Sequence, residues 1–148
     1  MNPSKNKGTA AETAVVKACQ RLGFPDARRQ ALAGAKDQGD IELCPGVILE
    51  VKSRDAWPSS SQIQKWLHET EREWENSGAD LAALVVKRPG VGLGRAEEWL
   101  VFLRWTWLGV LSWHEVLVKD AGPVSMDLAT FLRIIRILGF VSDGVAVS

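Results

Sequence analysis

The chain has no tyrosine, two cysteines, two histidines and no excess of charge of either sign, with 18 basic residues balancing 18 acidic ones in 148. Each scarcity excludes something. Cys19 and Cys44 are too few for a disulfide framework and lack the clustered spacing of a zinc site, so both read as buried thiols. His68 and His114 have no partner at ligand spacing and read as structural or solvated. A net charge of zero excludes an overall polycation as the basis of nucleic-acid binding, which leaves only a local basic surface. Up to Ser60 nine basic residues face seven acidic ones, and beyond it nine face eleven. No uncharged apolar run of about 18 residues suggests a membrane span, and the polar opening "MNPSKNKGTAAE" is not a signal peptide. The reading is cytoplasmic, with no membrane partner. Apolar residues make up 46%, enough at this length for the core of one domain covering residues 1–148.

What is present organises the chain. Ala11, Val15, Ala18 and Leu22 recur at helical spacing over Gly8–Leu22, and Gly23 stops that helix. "ARRQALAG" is a weak strand, followed by the loop "AGAKDQG". Asp40–Leu43 and Val47–Lys52 read as a hairpin closed by the Pro-Gly turn of "CPG". Ser61 and Gln64 fit a capping box for a second helix whose inward face is Ile63, Trp66, Leu67, Thr70 and Trp74. The opposite face, with Glu69, Arg72, Glu73 and Glu75, reads as solvated. "DLAALVVK" and "WLVFLRW" are strands on either side of the glycine-rich loop "RPGVGLGRAEE". "SMDLATFLRIIRILG" predicts a third helix with Leu128, Phe131, Leu132, Ile135 and Leu138 inward, and residues 106–122 carry no clear pattern. The seven tryptophans read mainly as packing residues. The order predicts an α/β fold, a mixed β-sheet flanked by helices.

The unusual stretch is "GDIELCPGVILEVKSR", in which strand-like sequence carries Asp40, Glu50 and Lys52. An unpaired charge in a core costs several kcal/mol or more, so something must compensate these. Strand alternation puts Glu50 and Lys52 on one face, and the short hairpin brings Asp40 near Glu50. Two close carboxylates repel unless a cation lies between them, and an all-oxygen site suits Mg²⁺ or Mn²⁺. A metal beside a lysine is equipment for phosphodiester hydrolysis. A salt-bridge network on a half-exposed sheet accounts for the same spacing. Glu42 lies on the same strand face as Asp40. "GVGLGR" lacks the phosphate-loop pattern, and Cys44 has no neighbouring base, so neither nucleotide cradling nor a cysteine nucleophile is indicated.

In this order, "KNKGTAAE", "GD", "EVKSR" and "SSQIQKW" resemble the PD-(D/E)XK nuclease superfamily, and within it the archaeal-type Holliday-junction resolvase branch, over Lys5 to about Lys87. The resemblance implies a restriction-endonuclease-like fold and an active site of Glu12, Asp40, Glu50 and Lys52, with Gln62 close by. It implies Mg²⁺ or Mn²⁺ held by Asp40, Glu50 and the main-chain carbonyl of Val51. It further implies a basic N-terminal arm of Lys5 and Lys7 that, with Arg54, would grip DNA phosphates. Members of the branch often carry a serine in the loop before the motif aspartate, and "AGAKDQGD" has none, a departure that bears on junction specificity rather than on hydrolysis.

The resulting expectation is a metal-dependent endonuclease acting in recombination or repair on four-way DNA junctions. The rivals are a nuclease on duplex, nicked or flap DNA, a DNA-binding module of the same fold without catalysis, and an α/β interaction domain. Cutting two symmetry-related strands of a junction demands two active sites, so a homodimer is expected, with its interface drawn from "WLVFLRWTWLGVLSW" and the third helix.

Overall fold

The computed structural model describes residues 3–30, 40–104, 107 and 122–141, and for residues 3–5 the backbone only. Helix α1 (Pro3–Arg21) leads into β1 (Arg28–Arg29), β2 (Ile41–Cys44) and β3 (Val47–Lys52). Helix α2 (Ser60–Ser77), β4 (Leu81–Val86), a 3₁₀ segment (Leu93–Glu98), β5 (Leu100–Leu103), β6 (Val124–Asp127) and α3 (Leu128–Ile137) follow. The six strands make one mixed sheet in chain order, antiparallel throughout except where β3 runs parallel to β4. A parallel pair needs a crossover, and α2 supplies it. None of the helices among the described residues is long and apolar enough to cross a membrane.

The expected hairpin is present. Its turn holds Gly46 at φ +89, a conformation that glycine adopts without steric cost. The Gly46 carbonyl then accepts from the N–H groups of Asp80 and Leu81 at 2.8 and 3.0 Å, so one turn fixes both the hairpin and the entry to β4. All six β4 side chains are buried, the continuous apolar pattern of a strand covered on both faces.

Several boundaries differ from the sequence expectation. The cap of α2 is Ser59, whose hydroxyl accepts from the Gln62 N–H at 3.2 Å, two residues before the expected Ser61. Ser59 and Gln62 satisfy the same S-x-x-Q pattern as Ser61 and Gln64, and the earlier serine wins. The third helix begins at Leu128 rather than Ser125, because Val124–Asp127 pairs with β5 as a sixth strand. The Asp127 carboxylate then caps the helix, accepting from the Thr130 N–H at 2.7 Å. Leu22 and Leu138, expected inward, are exposed, since each follows the last helical residue of its element. The loop "RPGVGLGRAEE" contains the 3₁₀ segment, anchored where the Trp99 indole N–H donates to the Val91 carbonyl at 3.0 Å. Residues 108–121, most of the stretch without a clear pattern, and the tryptophans at 105 and 113 lie outside the described residues.

Candidate active site

The site forms where the β2–β3 ladder stops. The last paired residues of that ladder are Ile41 and Leu49, and β3 runs on to Lys52 with no further β2 partner among the described residues. Asp40, the residue before β2, meets β3 there: its Oδ2 accepts from the Val51 N–H at 2.8 Å. The N–H and C=O of a strand residue leave by the same edge, so the Val51 carbonyl also faces the Asp40 side. Glu50 and Lys52 share a face, as alternation requires, and Lys52 Nζ lies 3.2 Å from Glu50 Oε1. Leu49 and Val51 point the other way and join the apolar core.

Helix α2 closes the site from above. Glu69 Oε2 lies 3.1 Å from Lys52 Nζ, and the Glu73 carboxyl lies close enough to Glu50 to raise it. Both corrections concern residues that the sequence reading assigned to a solvated face. Glu73 is in fact only 6% exposed, and Glu69 is half-buried. Gln62, Trp66, Glu69 and Glu73 follow at intervals of four, three and four, one line along a helix, so the periodicity that selected Trp66 selects the glutamates too. Their charge masked that signal.

The electrostatics follow from burial. Desolvation, then repulsion from Glu50, pushes the Asp40 carboxyl up to about 8, against the partial relief of the Val51 N–H. Glu50, 5% exposed, is pushed up to about 9 by desolvation first and by Glu73 second, with Lys52 opposing. Asp40, Glu50 and Glu73 thus form a run of carboxyls that approach one another closely only if protons are shared among them. Burial works against the charge on Lys52, but Glu50 and Glu69 outweigh it and hold the ammonium above its ordinary value. Lys52 is therefore a fixed positive charge at neutral pH rather than a base.

The remaining predicted residues divide. Glu12 reaches the rim of the site, close enough to raise Asp40, while its own carboxylate takes the Arg29 guanidinium at 2.8 Å. The Gln62 side-chain oxygen accepts from Arg54 Nη2 at 3.4 Å. Arg54 also lies over the Trp66 ring, 5.3 Å from its centroid. Lys5 and Lys7 belong to the first turns of α1 and not to an extended arm. Lys7 pairs with Asp55 at 2.9 Å, and the Lys5 side chain lies outside the described atoms. Glu42 turns to Arg28 at 3.0 Å. Cys19 and Cys44 are buried and form no disulfide, and Cys19 is pushed up to about 12 chiefly by desolvation. His68 is solvent-exposed, 4.0 Å from Glu71.

Among the described residues no three His, Cys, Asp or Glu side chains are disposed to hold one metal ion together. Mg²⁺ asks for less: one or two carboxylates, with waters and carbonyls completing the shell. The donors at Asp40, Glu50 and Val51 fit that demand. Glu50 Oε2 is buried and accepts no hydrogen bond from a described residue, and the two carboxyls carry raised pKa values of the kind that a cation between them reverses.

A stability test follows from the sign of these shifts. Both carboxyls titrate higher in the folded chain than their ordinary values of 3.8 and 4.5, so the folded state binds more protons than the unfolded one between those values and about 8 to 9. Their contribution is complete at low pH and is lost as pH rises through that window. Thermal melts in EDTA should fall in midpoint from about pH 5 to about pH 9, more steeply than melts of Glu50→Gln, and Mg²⁺ should raise the wild-type midpoint most at the alkaline end.

No protein-family model, curated protein or solved structure matches the chain.

Proposed function

We propose that the chain is a metal-dependent endonuclease of restriction-endonuclease-like fold that hydrolyses phosphodiesters in branched DNA, four-way junctions foremost. The observation that carries this reading is the convergence of Asp40, Glu50 and Lys52 at the C-terminal end of β3, with the Val51 N–H ordering the aspartate. Two carboxylates and a lysine maintained in a mostly buried cluster cost stability, and a chain keeps such a cluster when the charges have chemistry to do.

In this reading Asp40, Glu50 and the Val51 carbonyl hold Mg²⁺ or Mn²⁺. When bound, the ion supplies a water of lowered pKa and neutralises charge on the phosphoryl oxygens. Lys52, kept protonated and aimed by Glu50 and Glu69, sets its ammonium against the negative charge that grows on the phosphate as the water adds and the P–O bond breaks. Glu69 is a positioning residue, since it acts through Lys52. Glu12 lies beside Asp40, and Gln62 holds Arg54. The absence of a serine from "AGAKDQGD" favours a second reading, a nuclease on duplex, nicked or flap DNA. Resolution of a four-way junction would further require two copies of the chain, one for each strand cut.

The test is incubation of the protein with labelled four-way junction, flap, nicked and plain duplex DNAs in Mg²⁺ and in EDTA. Cleavage of the junction in Mg²⁺ alone is expected. Cleavage of the flap or duplex in preference selects the second reading, and no cleavage of any DNA in either Mg²⁺ or Mn²⁺ overturns both.

A further inference from the structure

Trp57 departs from the other described tryptophans. Trp66, Trp99 and Trp107 are buried and Trp74 is half-buried against Trp107, whereas Trp57 is 48% exposed. It sits in the connection from β3 to α2, five residues after Lys52, and the next residue, Pro58, is buried and ties the connection down. The indole lines an open cleft of about 430 Å³ together with Arg88, Pro89 and Leu100.

The register locates this cleft relative to the candidate site. Lys52 pairs with Val86, and Val86 pairs with Leu100, so the three lie in one row across the sheet. Adjacent strands are about 4.8 Å apart, which puts the Leu100 backbone roughly 10 Å from that of Lys52, at the same end of the sheet. The Lys87 N–H donates to the Lys52 carbonyl at 2.9 Å, so the strand end that carries Arg88 is fixed to the strand that carries the candidate lysine. Arg88 has no ion-pair partner among the described residues, though it lies near enough to Glu98 and Asp127 to lower both carboxyls.

We infer that Trp57 and Arg88 receive one unstacked nucleotide of a DNA strand, the base lying on the indole and the phosphate on the guanidinium. A flat apolar surface next to a cation that has no ion-pair partner among the described residues matches a nucleotide, which presents a π face and an anion a short distance apart. The inference rests on the nuclease reading and deepens it. A fully paired duplex keeps its base faces inside the stack, while a branch point offers unpaired or easily extruded bases. The cleft therefore favours branched over continuous DNA, and does so by stacking rather than by reading sequence.

The test is binding of a fluorescently labelled four-way junction and of a duplex of the same sequence, with Ca²⁺ replacing Mg²⁺, to wild type, Trp57→Ala and Trp57→Phe. A 2-aminopurine placed at the branch reports stacking directly. Trp57→Ala is expected to weaken junction binding roughly 5- to 150-fold, the range of one base–aromatic contact, to leave duplex binding within about twofold, and to abolish the 2-aminopurine quenching. Trp57→Phe should restore most of both signals. Equal losses on the two DNAs, or none on either, overturn the nucleotide site while the nuclease reading stands if wild type still cuts DNA. If wild type binds neither DNA, both readings fall. Because Trp57 is exposed, unchanged thermal melts of Trp57→Ala are expected and separate lost stacking from lost folding.

Discussion

Glu50→Gln is expected to abolish DNA cleavage while leaving DNA binding intact or tighter, and Asp40→Asn to do the same. Each substitution keeps the shape of the side chain and removes the charge. In the wild-type site both carboxyls are held against desolvation and against one another, and their pKa values of about 9 and about 8 express that conflict. The amide variants relieve it, so both should melt at or above the wild-type temperature in EDTA, an unusual result for substitutions at buried positions. At alkaline pH, where the wild-type carboxyls lose their protons, the amides also remove negative charge from the site, which should favour the binding of a phosphate. Catalysis should fail because an amide is a poor ligand for a hard cation and cannot replace the lost charge. Full activity in both variants would mean that these carboxyls have no part in hydrolysis.

Lys52→Ala is expected to lower the cleavage rate about 10²- to 10³-fold, the typical loss when one preorganised charge donor is taken from a transition state. The structure complicates the accompanying stability effect. Lys52 is not a freely solvated side chain: it bridges Glu50 on its own strand and Glu69 on α2 at 3.2 and 3.1 Å. Its removal leaves Glu50 facing Glu73 with no cation beside it, so the variant should be less stable in EDTA at alkaline pH and close to wild type under acid conditions, where Glu50 takes up a proton. Lys52→Arg keeps the charge but not the compact ammonium, and should recover stability more than rate. If Lys52→Ala is destabilised yet cuts DNA at the wild-type rate, the lysine is a structural ion-pair partner only.

The centre of the site was legible because strand geometry leaves little choice. A two-residue turn at Pro45–Gly46 fixes the hairpin, alternation puts Glu50 and Lys52 on one face, and the hairpin register carries Asp40 to the edge of β3 at Val51. The roof of the site was not legible in the same way. Glu69 and Glu73 occupy the inward line of α2 with Trp66, but a glutamate on an amphipathic helix is usually solvated, and only the presence of charges on the strand beneath makes an inward carboxylate sensible. The sixth strand was hidden for a related reason. Asp127 ends β6 and caps α3 at once, so "SMDLATF" reads as one helix when it is a strand followed by its cap and the first helical turn. Lys7 and Arg54 are expected from the sequence to grip DNA phosphates; in the fold their neighbours Asp55, Gln62 and Trp66 engage them, and such local pairing is set by side-chain direction that no spacing rule supplies.

The central claim is that Asp40 and Glu50 together hold a divalent cation, and Mn²⁺ binding measured by electron paramagnetic resonance on the DNA-free protein tests it most directly. The account predicts saturable Mn²⁺ binding by wild type that strengthens from about pH 6 to about pH 9 as protons leave the two carboxyls, competition by Mg²⁺, and loss of the site in both Asp40→Asn and Glu50→Gln. Wild-type and variant proteins that bind Mn²⁺ alike, or a wild-type protein that binds none across that range, would contradict it.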